Sequence, residues 1–548
     1  MALLRGFSAG WTRLPVLAAL GLLVPSGAAP AEEALPRLAE VGPWPVVSRL
    51  VGYGGRLWLA NSVKGRNHNS ADVYSFDPAA GDLRYERHLF SQDAGKPLVA
   101  GGLLYWPFED ARTSLGWGGF MVTDGEGWRL GTIASAEIFH VHAMAELGDR
   151  LVAATSAWRA GLQASDDGGR RWRALYDHPT PARRVSRITD LVAVNGRGLA
   201  YLTLRDRRRV LVFDGYSVGE LAGWPEDAGL SGWARRGDWV YALVEAEDGT
   251  AVWRSDGAAV ERVAAARSGW RPGALAAGAD ALWAVDAEGA GGAVWRSDDG
   301  RSWLRYRAIR DGRPGDIALT GGWLFVGGAG DDGSGALWGM PLGAEARSEA
   351  ARPGRLETVP SGLTPSPSDT EAVTARLDRA LGAPESYRDH GARLRDQVFE
   401  LAKHRPAAGV WQQRFARPTP DATLSLIGGN TSASAQRLAR WTLLWGMSLA
   451  GTGVVPVDWL EAPWTAEPNP AEKYFATAPA AIWTAGEIGQ DDRATVAALI
   501  ARLDRQDDPL WLTGDVVGAL TALTGERFAY DRAAWRAWWD GARDDRPR

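Results

Sequence analysis

Residues 140–172 read HVHAMAELGDRLVAATSAWRAGLQASDDGGRRW. An apolar run beginning at His140 meets a second, beginning at Arg150, across Gly148-Asp149. A third run leads into Ser165, and a turn over Asp167-Gly168-Gly169 delivers the chain to a fourth beginning at Trp172. Gly-containing dipeptides suit tight hairpins because the backbone there takes φ > 0. The stretch therefore reads as a four-stranded antiparallel meander, strands A to D.

The B strand of this meander has counterparts throughout the first 340 residues. They are RLWLA from Arg56, GLLYW from Gly102, RLVAA from Arg150, GLAYL from Gly198, WVYAL from Trp239, ALWAV from Ala281 and WLFVG from Trp323. Neighbours lie roughly 41 to 48 residues apart, the period of a propeller blade. Seven B strands give a seven-bladed β-propeller over residues 35–342. The last blade lacks a D strand after Leu342, and PRLAEVGPW (Pro36 to Trp44) reads like one. The N-terminus is expected to close the ring, leaving no free edge.

Ser165-Asp166-Asp167-Gly168-Gly169-Arg170-Arg171-Trp172 follows the pattern S-x-D-x-G-x-x-W, and Arg296 to Trp303 follows it with the serine displaced by one. Ser255-Asp256-Gly257 and Asp124-Gly125 look like remnants. These turns resemble the Asp-box of sialidase-like (BNR) propellers, which implies the fold, with the Asp capping the hairpin and the Trp packing between blades. It implies no sialidase chemistry: the first blade offers Val51-Gly52-Tyr53 where that family carries Arg-Ile-Pro. HNSADVYSFDPAAG (68–81) with HVHAM is also similar to exported bacterial propellers, a resemblance that carries no activity.

Length and composition bound the rest. The chain has 548 residues and a formal net charge of -5, without the basic surplus of a nucleic-acid binder. Lys64, Lys96, Lys403 and Lys473 are the only lysines among 61 basic residues, which reads as GC-rich bacterial codon bias. There is no cysteine, hence no disulfide, thiolate zinc site or iron–sulfur cluster. Residues 1–31 read as a signal peptide: Arg5 and Arg13, an apolar run from Leu14 to Val24, then Ala29-Pro30-Ala31. The mature chain carries no segment long enough to span a bilayer, so a periplasmic or secreted protein is expected.

Residues 343–369 are rich in Ala, Arg, Pro and Ser and read as a linker. From residue 370 the period becomes helical. Asp369 precedes Val373, Leu377 and Leu381 at i, i+4, i+8, and further amphipathic segments cover 387–401, 433–449, 472–488, 495–503, 516–523 and 531–539. Ala519, Leu523, Thr524, Gly525, Phe528, Asp531 and Trp535 resemble the end of bacterial HEAT-like repeats, which implies a helical domain over 370–548 that presents binding surfaces.

In a four-stranded blade the B–C loops and the starts of the A strands share one face. The long polar B–C loop of blade one contains His68 and Asn69, that of blade two Glu109, Asp110 and Arg112, and blade three starts strand A with His140 and His142. Counting back from the hairpin glycine puts Asp190 of blade four in the place of His142. These eight residues are the candidate ligand site, lopsided over one side of the ring. In a strand His140 and His142 point to the same side about 6.5–7 Å apart. That spacing suits two metal ligands, two anion contacts or a proton shuttle, or merely two rings lining a wet channel. Trp106 and Trp117 lie close enough to stack a sugar, or to pack the core. Asp331-Asp332-Gly333 lacks calcium-loop spacing and reads as a turn. No cofactor is expected. The residues fit a non-enzymatic module binding a glycan, peptide or small molecule, with the helical domain docking a partner protein. The alternative is a hydrolase or lyase on saccharides or phosphate esters using His140, His142, Glu109 and Asp110.

Overall fold

A computed structural model describes residues 33–63, 70–109, 118–133, 138–156, 159–178, 186–205, 207–342, 354–356, 369–387, 392–426, 431–464 and 476–543. Within them the chain forms seven four-stranded antiparallel sheets, then a helical region. The blades span residues 46–89, 98–132, 140–177, 187–220, 230–268, 272–309 and 312–341. Blade seven is completed by Arg37–Val41, which pairs antiparallel with Gly335–Pro341. The ring is thus closed by the N-terminal strand, although Trp44 lies beyond the paired residues. Residues 1–31, expected to be a signal peptide, and the expected linker 343–369 apart from 354–356 and 369 lie outside the described residues.

Burial explains why the B strands were the most legible. Arg56–Ser62 and Arg150–Ser156 are buried at every position after the first, whereas the D strand Arg173–Asp177 is exposed or half-exposed throughout. Strands covered on both faces read as continuous apolar runs.

The Asp-turns hold themselves by local hydrogen bonds. The Asp167 carboxylate accepts from the backbone N–H groups of Arg170 (3.1 Å) and Arg171 (2.8 Å), Ser165 Oγ accepts from Gly169 N, and the Trp172 indole donates to Gly169 O. Asp299 accepts from Arg301 N and Ser302 N, Ser297 Oγ from Gly300 N, and Trp303 donates to Gly300 O. The serine of the second turn is not displaced. Its spacing to the aspartate is kept, and one residue is missing between aspartate and tryptophan. Asp332 accepts from Arg37 and from Ser334, so 331–333 is a turn.

The described residues hold nine α-helices: α1 Thr370–Leu381, α2 Ala392–Lys403, α3 Ala408–Phe415, α4 Ala435–Ala450, α5 Val457–Glu461, α6 Thr477–Ile488, α7 Arg493–Arg502, α8 Leu510–Thr524 and α9 Arg532–Ala542. Asp369 and Asp531 cap α1 and α9. The short α3 and α5 and a hairpin of Thr423–Leu426 with Thr431–Ser434 escaped the periodicity. Helices α2, α4, α6 and α8 pack successively on one another, while α3 packs on α4, α5 on α6 and α7, and α7 on α8. Among the described residues no helix is long and apolar enough to cross a membrane.

The layer of α4, α6 and α8 lies against the flank of blades one and two. Phe90 stacks between Trp441 of α4 and Trp483 of α6, with ring centroids 5.8 and 5.2 Å away. Arg87 pairs with Glu487, and Arg527 with Glu86. At the centre a fully buried imidazole, His88, joins two fully buried carboxylates. Its Nδ1 is 2.7 Å from Asp72 of blade one and its Nε2 3.1 Å from Asp515 of α8. Tyr530 and the Trp44 indole donate to the other oxygen of Asp72. Close approach requires glycine here, since a Cβ on Gly518 would stand 2.6 Å from His88 Cβ.

Candidate functional site

The site begins with an irregularity in strand A. In blade three Val141 pairs with Thr155 and Ala143 with Ala154, which leaves His142 as a β-bulge. The two imidazole rings stack on one another, centroids 5.2 Å apart at 12°. Blades four to seven carry the same bulge at Thr189, Ser231, Gly273 and Gly315. Blade three alone of these five places a large titratable side chain there.

This register corrects one assignment. Thr189, not Asp190, stands in the place of His142, because Asp190 pairs with Tyr201 as Ala143 pairs with Ala154. The count from the hairpin missed by one residue. Asp190 is instead held by Lys96, whose Nζ donates to it at 2.8 Å, and by its neighbour Leu191 N. Lys96 itself donates its backbone N–H to His142 O. The preceding Gly95 is pressed so near this strand that a Cβ would lie 2.5 Å from Val141 O.

Glu109 closes the cluster from blade two. Its backbone carbonyl accepts from His140 Nδ1 at 2.6 Å, and its Oε1 lies 3.9 Å from His140 Nδ1 and 3.6 Å from His142 Nδ1. The carboxylate is therefore beside both rings but beyond hydrogen-bond length. His142 Nε2 is 2.9 Å from Ser156 Oγ in strand B. His142 is 5% exposed, a buried group rather than a rim residue. Burial, then the charges of His140, Arg187 and Arg49, hold its pKa well below the ordinary histidine value. The ring is neutral at neutral pH.

Of the eight expected site residues, Glu109, His140 and His142 converge, and Asp190 stands one blade on, paired with Lys96. His68, Asn69, Asp110 and Arg112 lie outside the described residues, as does Trp117. Trp106 is fully buried and packs the core, so it stacks no sugar at the surface. Four contributors were not foreseen: Ser156, Lys96, Arg49 and Arg187. Arg187 was findable, because it starts strand A of blade four as His140 starts that of blade three. Its Nε is buried without a hydrogen-bond partner. Arg49 carried no signal; it sits in an irregular part of blade one's A strand at φ 58°, with Nε donating to Ala94 O.

No protein-family model matches the chain, and the comparison with curated proteins found no match. Solved structures do match in shape. A calcium-binding protein, regucalcin, from Agrobacterium tumefaciens is 14% identical with a TM-score of 0.34, over 59% of this chain and 98% of that one. The β-propeller domain of the Trilobed protease from Pyrococcus furiosus is 10% identical with a TM-score of 0.38, over 55% and 99%. A chain of a Mitotic Checkpoint Complex is 11% identical with a TM-score of 0.40, over 59% and 99%. At such identities the likeness is one of propeller fold alone.

Proposed function

We propose that this chain is an exported binding protein whose propeller takes a small acidic ligand, a carboxylate or phosphate, beside Glu109, His140 and His142, without catalysing a reaction on it. The observation that carries the reading is Arg187: a guanidinium with a buried, unpartnered Nε whose charge acts on His142. A buried donor left unmade is costly, and an incoming oxyanion would satisfy it. Arg49 adds a second positive charge felt by His142, while Lys96 is already neutralised by Asp190. What supports binding over hydrolysis is that Glu109 Oε1 stands 3.9 and 3.6 Å from the two imidazoles, beyond hydrogen-bond length.

Export rests on the Ala29-Pro30-Ala31 pattern, with removal after Ala31. The Asp-turns and the α8–α9 sequence support placing the two domains with Asp-box propellers and HEAT-like helical domains. Since α4, α6 and α8 contact the chain's own propeller, a partner protein would meet other parts of the helical region.

The test is a thermal-shift and calorimetric screen of the mature chain against inorganic phosphate, citrate, acidic and neutral glycans, and peptides. Binding of an acidic compound that is lost in Arg187→Gln supports the reading. Binding of neutral glycans alone overturns it, and so does turnover of a saccharide or phosphate ester that depends on Glu109 and His140.

A further inference from the structure

The same three side chains that flank the proposed ligand have the composition of a metal site. One donor atom from each of Glu109, His140 and His142 lies within 4.8 Å of the others, and no other such group occurs among the described residues. We infer that Glu109, His140 and His142 bind a divalent transition-metal cation, of which Zn²⁺ is the type. This rests on the mouth of blades two and three being the site proposed above, and it adds what anchors the ligand there.

Three features favour a metal over a chance meeting of polar groups. The donor set is right: two imidazoles and a carboxylate suit zinc and its first-row neighbours, whereas calcium and magnesium prefer oxygen. Each ring is also oriented through one nitrogen. His140 Nδ1–H donates to a backbone carbonyl, and His142 Nε2 meets the Ser156 hydroxyl. Outer partners of this kind, a carbonyl or hydroxyl on the far nitrogen, fix ring orientation in metal sites. In this arrangement His142 offers a metal its Nδ1, the nitrogen that faces Glu109 Oε1.

The third feature is distance. Ligand bonds of about 2.0–2.2 Å in a tetrahedron place donor atoms about 3.3–3.5 Å apart. The His142 Nδ1 to Glu109 Oε1 separation of 3.6 Å is already near this. His140 Nδ1 stands 3.9 Å from the same oxygen and all three donors lie within 4.8 Å of one another, so the side chains would draw in by up to about 1.5 Å to meet one ion. Three protein ligands leave a fourth position open, the arrangement that admits an exogenous oxygen. An oxyanion there would bridge the metal and the cationic neighbourhood of Arg187 and Arg49. This also resolves an electrostatic difficulty, since those arginines disfavour a bare cation and favour one that carries an anionic ligand.

The experiment uses the mature full chain without an affinity tag, stripped with a chelator and titrated with Zn²⁺ by calorimetry and with Co²⁺ by visible absorption. One equivalent should bind, with the intensified visible bands of tetrahedral Co²⁺. His140→Ala and His142→Ala should each weaken binding by at least 100-fold. Ser156→Ala, which removes only the outer partner, should weaken it by about 10–100-fold. Because His142 is buried and its loss could disturb the blade, Glu109→Gln is the deciding variant; it should abolish the Co²⁺ bands while the melting curve is kept. Failure of the wild type to take up one equivalent overturns the inference, as does uptake unchanged in Glu109→Gln. Phosphate binding by the chelated protein is measured in parallel. If it persists while no metal is taken up, the metal site falls and the ligand site stands; if metal binds and no acidic ligand does, the reverse holds.

Discussion

Replacing His88 by alanine should weaken the attachment of the helical domain to the propeller more than any other single change at that interface. The imidazole is fully buried between Asp72 of blade one and Asp515 of α8. Its removal leaves two buried carboxylates facing a cavity, one of which keeps the Tyr530 and Trp44 donors while the other loses its imidazole. Breaking a buried ion pair by deleting one partner costs about 3–5 kcal/mol. For a domain the size of the helical one, this is a fall in melting temperature of about 6–20 °C. Burial alone would push the His88 pKa down, but hydrogen bonds to Asp515 and Asp72, with their charges, outweigh it and hold the pKa above the ordinary histidine value. A group with a raised folded pKa contributes stability that is fully present below its unfolded pKa, about 6.5, and is lost as pH rises through the folded value. The penalty of His88→Ala should therefore be largest in mild acid and shrink in alkali. His142, whose pKa is depressed, titrates in the opposite sense, so the informative quantity is the difference between wild type and variant at each pH. Scanning calorimetry gives the melting temperatures, and hydrogen exchange of α8 and of Asp82–Leu89 amides locates the loss. A variant that melts within a degree of wild type, with unchanged protection of those segments, would refute the reasoning.

Other expectations follow from the same contacts. Gly518→Ala should cost about 1–3 kcal/mol by overpacking, because the new methyl meets His88 Cβ at 2.6 Å; an unchanged denaturation midpoint would count against the close approach. Deleting Pro36–Trp44 should expose the edge of Gly335–Pro341 and cause aggregation, and should also remove the Trp44 donor to Asp72. A monodisperse, fully stable deletion variant in light scattering would contradict it. Asp167→Ala removes two backbone turn hydrogen bonds of about 0.5–1.5 kcal/mol each, with those from Ser165 Oγ and Arg171 Nε, and should lower stability accordingly in urea titrations. N-terminal sequencing of the exported protein should begin at Glu32; an intact Met1 on protein outside the cytosol would rule out cleavage.

How much of this was legible depends on how local each signal is. The blades were, because a B strand such as Arg150–Ser156, buried on both faces, writes an apolar run directly into the sequence, and the hairpin glycines punctuate it. His140 and His142 were legible as a pair, since strand periodicity alone puts them on one side. That His142 is the bulged residue was not, because the bulge is a matter of pairing with Thr155 and Ala154, and a run of residues does not disclose which one its partner strand skips. Asp190 was misplaced by one position for a different reason. The hairpin glycine is the first turn residue in blade three (Gly148-Asp149) but the second in blade four (Asn195-Gly196), so counting back from it slips by one, whereas the pairing keeps Asp190 level with Ala143 and puts Thr189 in the bulge.

The interdomain cluster was harder still, for a physical reason. His88 and Asp515 are 427 positions apart, and each taken alone sits in an unremarkable context: a histidine ending a D strand, an aspartate inside an apolar helix. Yet Asp515 was a signal of its kind. The segment Leu512–Leu523 is buried almost throughout, and an ionisable residue within such a helix must find a partner, since an unpaired buried charge is too costly to keep. Gly514 and Gly518 flank it on the side that meets His88, two glycines in a helix that propensity alone would fill with alanine. A carboxylate bracketed by helical glycines thus announces a close polar contact with something outside the helix. What it could not announce is that the something is blade one, so that the domain expected to offer its surface to others spends that surface on its own propeller.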